Sequence, residues 1–232
     1  MVRLGVGTRG LAAVDDPQRL LRQALDAGIT LFDTADIYET EELLGHAFAG
    51  MRDQVVIATK WGHTADGPDG RVSYVRKALT ASLRRLRTSY VDIYQLHVAD
   101  MSTYAATALR EECENLVAEG LIRAYGWCTP DPARAAVFAA GPNCATIQAP
   151  YDDALLPVVD EYDLSLLCPE PFGPPVRLGG RTPLQGALAR LWAHCPRAVA
   201  LPRVRTVADV MELAGAVTHG PLTMRELAAV RG

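Results

Sequence analysis

Short apolar runs alternate with longer amphipathic segments along the whole chain. The runs are rich in Val, Ile and Leu and apolar at most positions, which is typical of strands in a parallel sheet that is covered on both faces. Eight runs are predicted to be strands: residues 3–7, 30–33, 54–60, 91–97, 122–127, 145–148, 164–168 and 198–201.

Between these runs, apolar residues recur at helical spacing. Helices are predicted at residues 16–27, 41–48, 73–86, 105–119, 132–140, 151–162, 183–194 and 207–217. The pattern is weakest in residues 151–162. Eight β–α repeats without a Pro-, Gly- or Ser-rich linker predict one domain over residues 1–232. Its expected fold is an α/β (β/α)8 TIM barrel, near the minimal length and with short loops.

An open doubly wound sheet is the alternative to the barrel. Such sheets commonly carry a GxGxxG turn after the first strand, and that motif is absent here. The pattern therefore favours the barrel.

Composition and charge exclude several classes of protein. The formal net charge of −4 provides no basic surface to attract nucleic acid or an anionic membrane. No apolar stretch reaches the roughly 18 residues of a membrane-spanning helix. The five cysteines are scattered without a CxxC motif or zinc spacing, which predicts reduced thiols in a cytoplasmic protein and no metal site.

Three neighbouring strands end in polar residues. Asp33 ends the second predicted strand, with Tyr38 five residues later, while Lys60 ends the third strand and His97 the fourth. The carboxyl ends of barrel strands meet at one mouth, so these four side chains are expected to lie together. Tyrosine ordinarily titrates near pH ~10. A nearby lysine favours the phenolate, and we expect it to lower the pKa of Tyr38.

This set is equipped to protonate a developing alkoxide. Asp33 would hold Lys60, and His97 would hydrogen-bond a substrate carbonyl. Each residue alone also has a purely structural interpretation: Asp33 as a turn cap, Tyr38 as a packing aromatic in a loop, and His97 as a buried structural histidine. Their occurrence together at strand ends favours a catalytic site.

Four stretches resemble the aldo-keto reductase superfamily in order and spacing over nearly the whole chain: GITLFDTADIYETEELLGHAF, VVIATKWG, LRTSYVDIYQLH and LVAEGLIRAYGW. The resemblance implies a (β/α)8 barrel that binds NADP(H) in an extended pose without a Rossmann domain. It also implies direct hydride transfer to a carbonyl. Tyr38 would then be the general acid, Lys60 and Asp33 would tune it, and His97 would orient the carbonyl.

The resemblance also implies cofactor-binding positions. Gln148 in IQAP would hold the nicotinamide carboxamide. Arg205 and Thr206 in LPRVRTVADVMEL would bind the adenosine 2′-phosphate, since a guanidinium and a hydroxyl suit a phosphate dianion. Cys128 and Thr129 occupy positions where the family usually has Ser-Asn against the nicotinamide amide, and a thiol forms weaker hydrogen bonds than a hydroxyl.

The sequence thus predicts an NADPH-dependent reductase of an aldehyde or ketone. Its partner would be a small carbonyl compound, with no nucleic acid and no membrane. Two alternatives remain open. One is a non-redox acid–base enzyme, an isomerase or lyase, on the same fold, suggested by Cys128 and by Leu213 at a position where the family usually has asparagine. The other is a regulatory module that senses nicotinamide nucleotide without turnover.

Overall fold

The computed structural model describes residues 3–64, 66–170 and 172–230, and in it eight parallel strands form a closed barrel. The strands are β1 (Gly5–Gly7), β2 (Leu31–Asp33), β3 (Val56–Trp61), β4 (Val91–Leu96), β5 (Ile122–Cys128), β6 (Cys144–Gln148), β7 (Ser165–Pro169) and β8 (Ala198–Leu201). Each strand pairs with the next one along the chain. Parallel bridges from Leu4 to Ala200 and from Gly7 to Arg203 join the two ends of the sheet. The predicted (β/α)8 barrel is confirmed, and the open sheet is wrong.

Helices follow the strands and cover the outside of the barrel. They are α1 (Pro17–Asp26), α2 (Glu41–Ala47), α3 (Val72–Leu86), α4 (Thr103–Ala118), α5 (Pro132–Ala139), α6 (Leu156–Glu161), α7 (Pro183–His194), α8 (Val207–His219) and α9 (Met224–Val230). The weak pattern at residues 151–162 corresponds to a 3-10 turn, Asp153–Leu155, followed by the short α6. Helix α9 was not predicted. None of the described helices is both long and apolar enough to span a membrane.

The helix starts follow from their capping residues. The N-caps of α1, α4, α5, α7 and α8 are Asp16, Ser102, Asp131, Thr182 and Thr206, and each accepts a hydrogen bond from a backbone N–H of the first turn. Such caps satisfy donors that the helix itself leaves unpaired. Because each of these helices follows a barrel strand, the helix starts and the loops before them lie at the mouth of the barrel.

The main core lies between the strands and the surrounding helices. A smaller apolar cluster consists of Leu31, Ala58, Leu167, Val199 and Leu201, all on barrel strands. Side chains alternate between the two faces of a strand, so the residue two positions further along points the same way. The residues two positions beyond Leu31 and Ala58 are the charged Asp33 and Lys60. The barrel interior therefore changes from apolar to polar towards the carboxyl ends of the strands.

Candidate active site

The polar layer of the barrel begins with an ion pair between β2 and β3. The Lys60 ammonium donates to both carboxylate oxygens of Asp33 at 2.6 Å and to the Thr34 carbonyl at 2.7 Å. Both charged side chains are buried. Burial is the largest single influence and lowers the pKa of Lys60, but the charge and hydrogen bond of Asp33, together with Cys128 and Tyr38, outweigh it and the net pKa is raised. Lys60 therefore remains a cation inside the barrel.

Two glutamines extend this layer across the barrel. Gln95 Nε2 lies 2.8 Å from Gln148 Oε1 and 3.5 Å from Asp33 Oδ1, and Gln148 Nε2 lies 3.3 Å from Asp33 Oδ2. The Cys128 thiol donates to Gln148 Oε1 at 3.6 Å. Burial raises the pKa of Cys128 to about 12, so its sulfur remains a neutral, weak donor.

Sequence reasoning did not select Gln95. The signal in the sequence was an amide in a mostly apolar strand, two residues before His97. The structure shows this side chain fully buried and Gln95 paired in register with Lys60. Buried polar side chains of this kind almost always have hydrogen-bond partners. Here those partners are the groups of the candidate site.

Tyr38 lies at the end of the 3-10 turn Asp36–Tyr38, which follows β2. Its ring centroid is 5.3 Å from Lys60 Nζ, and the ring packs edge-on against His97 with centroids 5.8 Å apart. Burial raises the pKa of Tyr38 above its usual 10, and this effect exceeds the lowering by Lys60. The expectation of a net lowered pKa is therefore wrong, because Asp33 and desolvation offset the lysine.

His97 follows β4 directly, with its backbone N–H donating to the Trp61 carbonyl at 2.8 Å. Its Nδ1 is buried and has no hydrogen-bond partner among the described residues. Burial, together with the neighbouring charge of Lys60, lowers the pKa of His97 to about 3. The imidazole is therefore neutral at physiological pH and has one N–H to donate.

These side chains line one cavity of about 460 Å³ at the mouth of the barrel, a volume within the usual range for small-molecule sites. The predicted residues that line it are Asp33, Tyr38, Lys60, His97, Cys128, Thr129 and Gln148. The structure thus brings together all four proposed catalytic residues and three of the five proposed cofactor positions.

Thr129 lines this cavity, but its hydroxyl is engaged elsewhere. The hydroxyl donates to the Ala99 carbonyl at 2.9 Å and accepts from the Asp131 N–H at 3.3 Å. The residue is fully buried. Its single hydroxyl proton is therefore not directed at a ligand in the cavity.

Arg205 and Thr206 line a second cavity, of about 740 Å³, next to α1 and α8. Thr206 caps α8 in a reciprocal capping box with Asp209. The Arg205 guanidinium forms no ion pair or hydrogen bond with any described residue. In the lining of the first cavity, an ion pair joins Arg203, which follows β8, to Glu170, which follows β7, with Nη2 to Oε2 at 2.9 Å.

The first cavity is suited to proton transfer at an oxygen atom. It holds a protonated phenol, a buried cation about 5 Å from the phenol ring, and a neutral imidazole. A cation beside the phenol stabilises the phenolate that remains after the proton has left. This is the equipment of a general acid.

Comparison with known proteins agrees with this geometry. The sequence profile of the Aldo/keto reductase family matches residues 3–173, well over half of the chain. The chain belongs to the aldo/keto reductase family. The resemblance identified from the strand-end motifs is thereby confirmed.

The chain matches curated relatives over only part of their length. An uncharacterized oxidoreductase, YqkF, of Bacillus subtilis is 30% identical over 167 residues, which are 66% of this chain and 54% of that protein. The chain spans about half the length of the curated relatives that it matches.

Solved structures of aldo-keto reductases match over nearly the whole chain. The holo form of AKR11C1 from Bacillus halodurans has a TM-score of 0.85 and 26% identity, covering 99% of this chain and 91% of that one. An aldo-keto reductase from Klebsiella pneumoniae in complex with NADPH has a TM-score of 0.78 and 28% identity, covering 98% and 89%.

Proposed function

We propose that this protein is an NADP(H)-dependent oxidoreductase that reduces an aldehyde or ketone. The observation that carries the proposal is the single cavity in which Tyr38, His97 and the Lys60–Asp33 ion pair meet. Membership of the aldo/keto reductase family and the NADPH-bound structure of the Klebsiella relative support it.

The residues present fit an extended dinucleotide. Gln148 and Cys128 offer an amide and a thiol to the nicotinamide end in the first cavity. At the second cavity, the Arg205 guanidinium is unpaired among the described residues, and the Thr206 hydroxyl accepts a backbone hydrogen bond and retains its own proton to donate. Both suit a 2′-phosphate dianion. When bound, NADPH supplies a hydride to the carbonyl carbon.

The chain's own residues supply the proton and hold the substrate. Tyr38 donates its phenolic proton to the carbonyl oxygen, and its raised pKa keeps that proton in place until it is needed. The Lys60 charge stabilises the phenolate that forms, while Asp33 fixes the ammonium. Neutral His97 donates a hydrogen bond to the same oxygen and orients the carbonyl.

The test measures nucleotide binding and turnover separately. We expect NADPH to bind in calorimetry and its absorbance at about 340 nm to fall when aldehydes and ketones are added. Binding without loss of absorbance for any carbonyl compound would contradict the reductase and favour the nucleotide-sensing module. Absence of NADPH binding would favour the non-redox acid–base enzyme, for which Cys128 and the engaged Thr129 hydroxyl are the structural argument.

A further inference from the structure

Arg9 lies two residues beyond β1, at the rim of the first cavity. Its guanidinium carbon is 6.0 Å from the centroid of the Tyr38 ring. Among the described residues, Arg9 has no carboxylate within ion-pair distance and no side-chain hydrogen bond, and its charge acts on both Tyr38 and His97. The side chain is exposed, so a ligand in the cavity can reach it.

The other cations of the cavity are already paired. Lys60 uses its ammonium protons on Asp33 and the Thr34 carbonyl. Arg203 forms a two-pronged interaction with Glu170, from Nε at 3.1 Å and from Nη2 at 2.9 Å. Since His97 is neutral, Arg9 leaves the cavity with one uncompensated positive charge.

We propose that Arg9 binds an anionic group of the substrate, so that the carbonyl compound reduced here is a short oxo acid. This rests on the proposed reductase function. A guanidinium recognises a carboxylate through two parallel hydrogen bonds, and partial desolvation in a cavity strengthens them. Because Arg9 contacts the ring of the proposed acid, a carboxylate a few bonds from the carbonyl reaches it while the carbonyl oxygen is at Tyr38.

An anionic oxygen could also come from the cofactor diphosphate. Gly10, the next residue, lines the second cavity, so the linings of the two cavities adjoin along the chain at Arg9. The contact with Tyr38 favours the substrate as the source. The test therefore measures the two sources independently.

The experiment compares 4-oxopentanoate with its methyl ester, which has the same carbonyl and no charge. We expect Arg9→Gln to lower the ratio of kcat/KM for the acid over the ester by about 10- to 100-fold, the scale of a lost charged hydrogen bond. Arg9→Lys keeps the positive charge but lacks the forked guanidinium, so this variant should retain part of the preference for the acid over the ester. The matched control is Arg225→Gln, which removes an exposed arginine of α9 that does not line the cavity.

Binding of the acid is also measured directly, without turnover. Calorimetry with the acid is performed on the protein alone and with NADP+, which has no hydride to give, and Arg9→Gln is expected to weaken binding of the acid by a similar factor. An unchanged acid-to-ester ratio, or acid binding that is insensitive to Arg9, overturns the inference. So does a loss of NADPH affinity in Arg9→Gln, since the guanidinium would then serve the diphosphate. If neither compound is reduced but the acid still binds through Arg9, the reductase proposal fails and the anion site stands.

Discussion

At the scale of single residues, the site depends on the balance between burial and neighbouring charge. Tyr38 and His97 pack edge to face in one cavity, and burial keeps each of them neutral. Desolvation raises the pKa of the phenol and lowers that of the imidazole because both shifts disfavour the charged form. The result is a pair of neutral donors beside a permanent cation, Lys60.

Tyr38→Phe removes the phenolic proton and keeps the ring. We expect turnover to fall by roughly 10²-fold or more, the range for loss of a general acid. The measurement is NADPH oxidation under single-turnover conditions, with NADPH affinity measured by calorimetry as the control for intact binding. Near-normal turnover would exclude Tyr38 as the proton donor.

The pH dependence of carbonyl reduction follows from the same two shifts. His97 has a pKa of about 3, so it is neutral well below pH 6.5, and Tyr38 is protonated up to its raised pKa. Deprotonated tyrosine cannot donate, so kcat/KM should be flat between about pH 5 and 9 and fall at higher pH. Burial raises the pKa of Asp36 to about 6, so titration of this carboxyl would fall in the same pH range as that of an ordinary histidine. The profile is therefore measured with the native protein and with Asp36→Asn, which removes the Asp36 titration. An inflection near pH 6.5 that disappears in His97→Gln would contradict this.

At the scale of elements, β2 and β3 are joined by charge as well as by their backbone ladder. Asp33 lies at the end of β2 and Lys60 near the end of β3, both buried and in contact at 2.6 Å. A buried ion pair contributes little net stability compared with an apolar pair, but removing one partner leaves an uncompensated charge. Replacing either residue alone is therefore expected to destabilise the fold more than replacing both.

Lys60→Met should destabilise the fold by about 3–5 kcal/mol, because Asp33 is left buried without its cation. The double variant Asp33→Asn/Lys60→Met removes both charges and should recover part of that loss. The measurement is the free energy of unfolding in urea. Lys77→Met is the matched control, since Lys77 is exposed on α3 and should change stability little. Equal losses in the single and double variants would show that the buried charge is not the cause.

At the scale of the whole molecule, the proposed site residues are divided between two of the cavities that the described residues form, both on one rim of the barrel. The first contains the proposed catalytic residues, and the second lies beside α1 and α8 with Arg205. The closing bridges between β1 and β8 bring the chain after each of these strands to this rim. An extended cofactor would span both regions, so its two ends should respond to different variants.

Arg205→Ala should weaken NADPH binding by about 1.5–3 kcal/mol, the range for a hydrogen bond to a charged group. NADH lacks the 2′-phosphate and should bind with nearly unchanged affinity. Calorimetry with both nucleotides decides this, and adenosine 2′,5′-bisphosphate tests the phosphate end alone. Equal losses for NADPH and NADH would show that Arg205 does not recognise the 2′-phosphate.

The sequence alone was sufficient to predict the barrel and the grouping of the strand-end residues in the candidate site. Eight apolar runs in strict alternation with helices allow few topologies, and carboxyl ends of parallel strands must meet at one mouth. Asp33, Lys60 and His97 could therefore be placed together from their positions at strand ends. Local rules sufficed because strand period, helix caps and strand-end position are all properties of neighbouring residues.

Only the tertiary structure decided the partners and the protonation of these groups. Gln148 reaches Asp33 across 115 residues of sequence, and Thr129 turns its hydroxyl to the Ala99 carbonyl rather than to the cavity. The net direction of the Tyr38 pKa shift depends on burial, which no sequence motif encodes. Arg9 has no ion-pair partner among the described residues because the fold brings none of their carboxylates within ion-pair distance of its guanidinium. Hydrogen-bond partners and desolvation arise from contacts between distant segments, and those contacts exist only in the closed barrel.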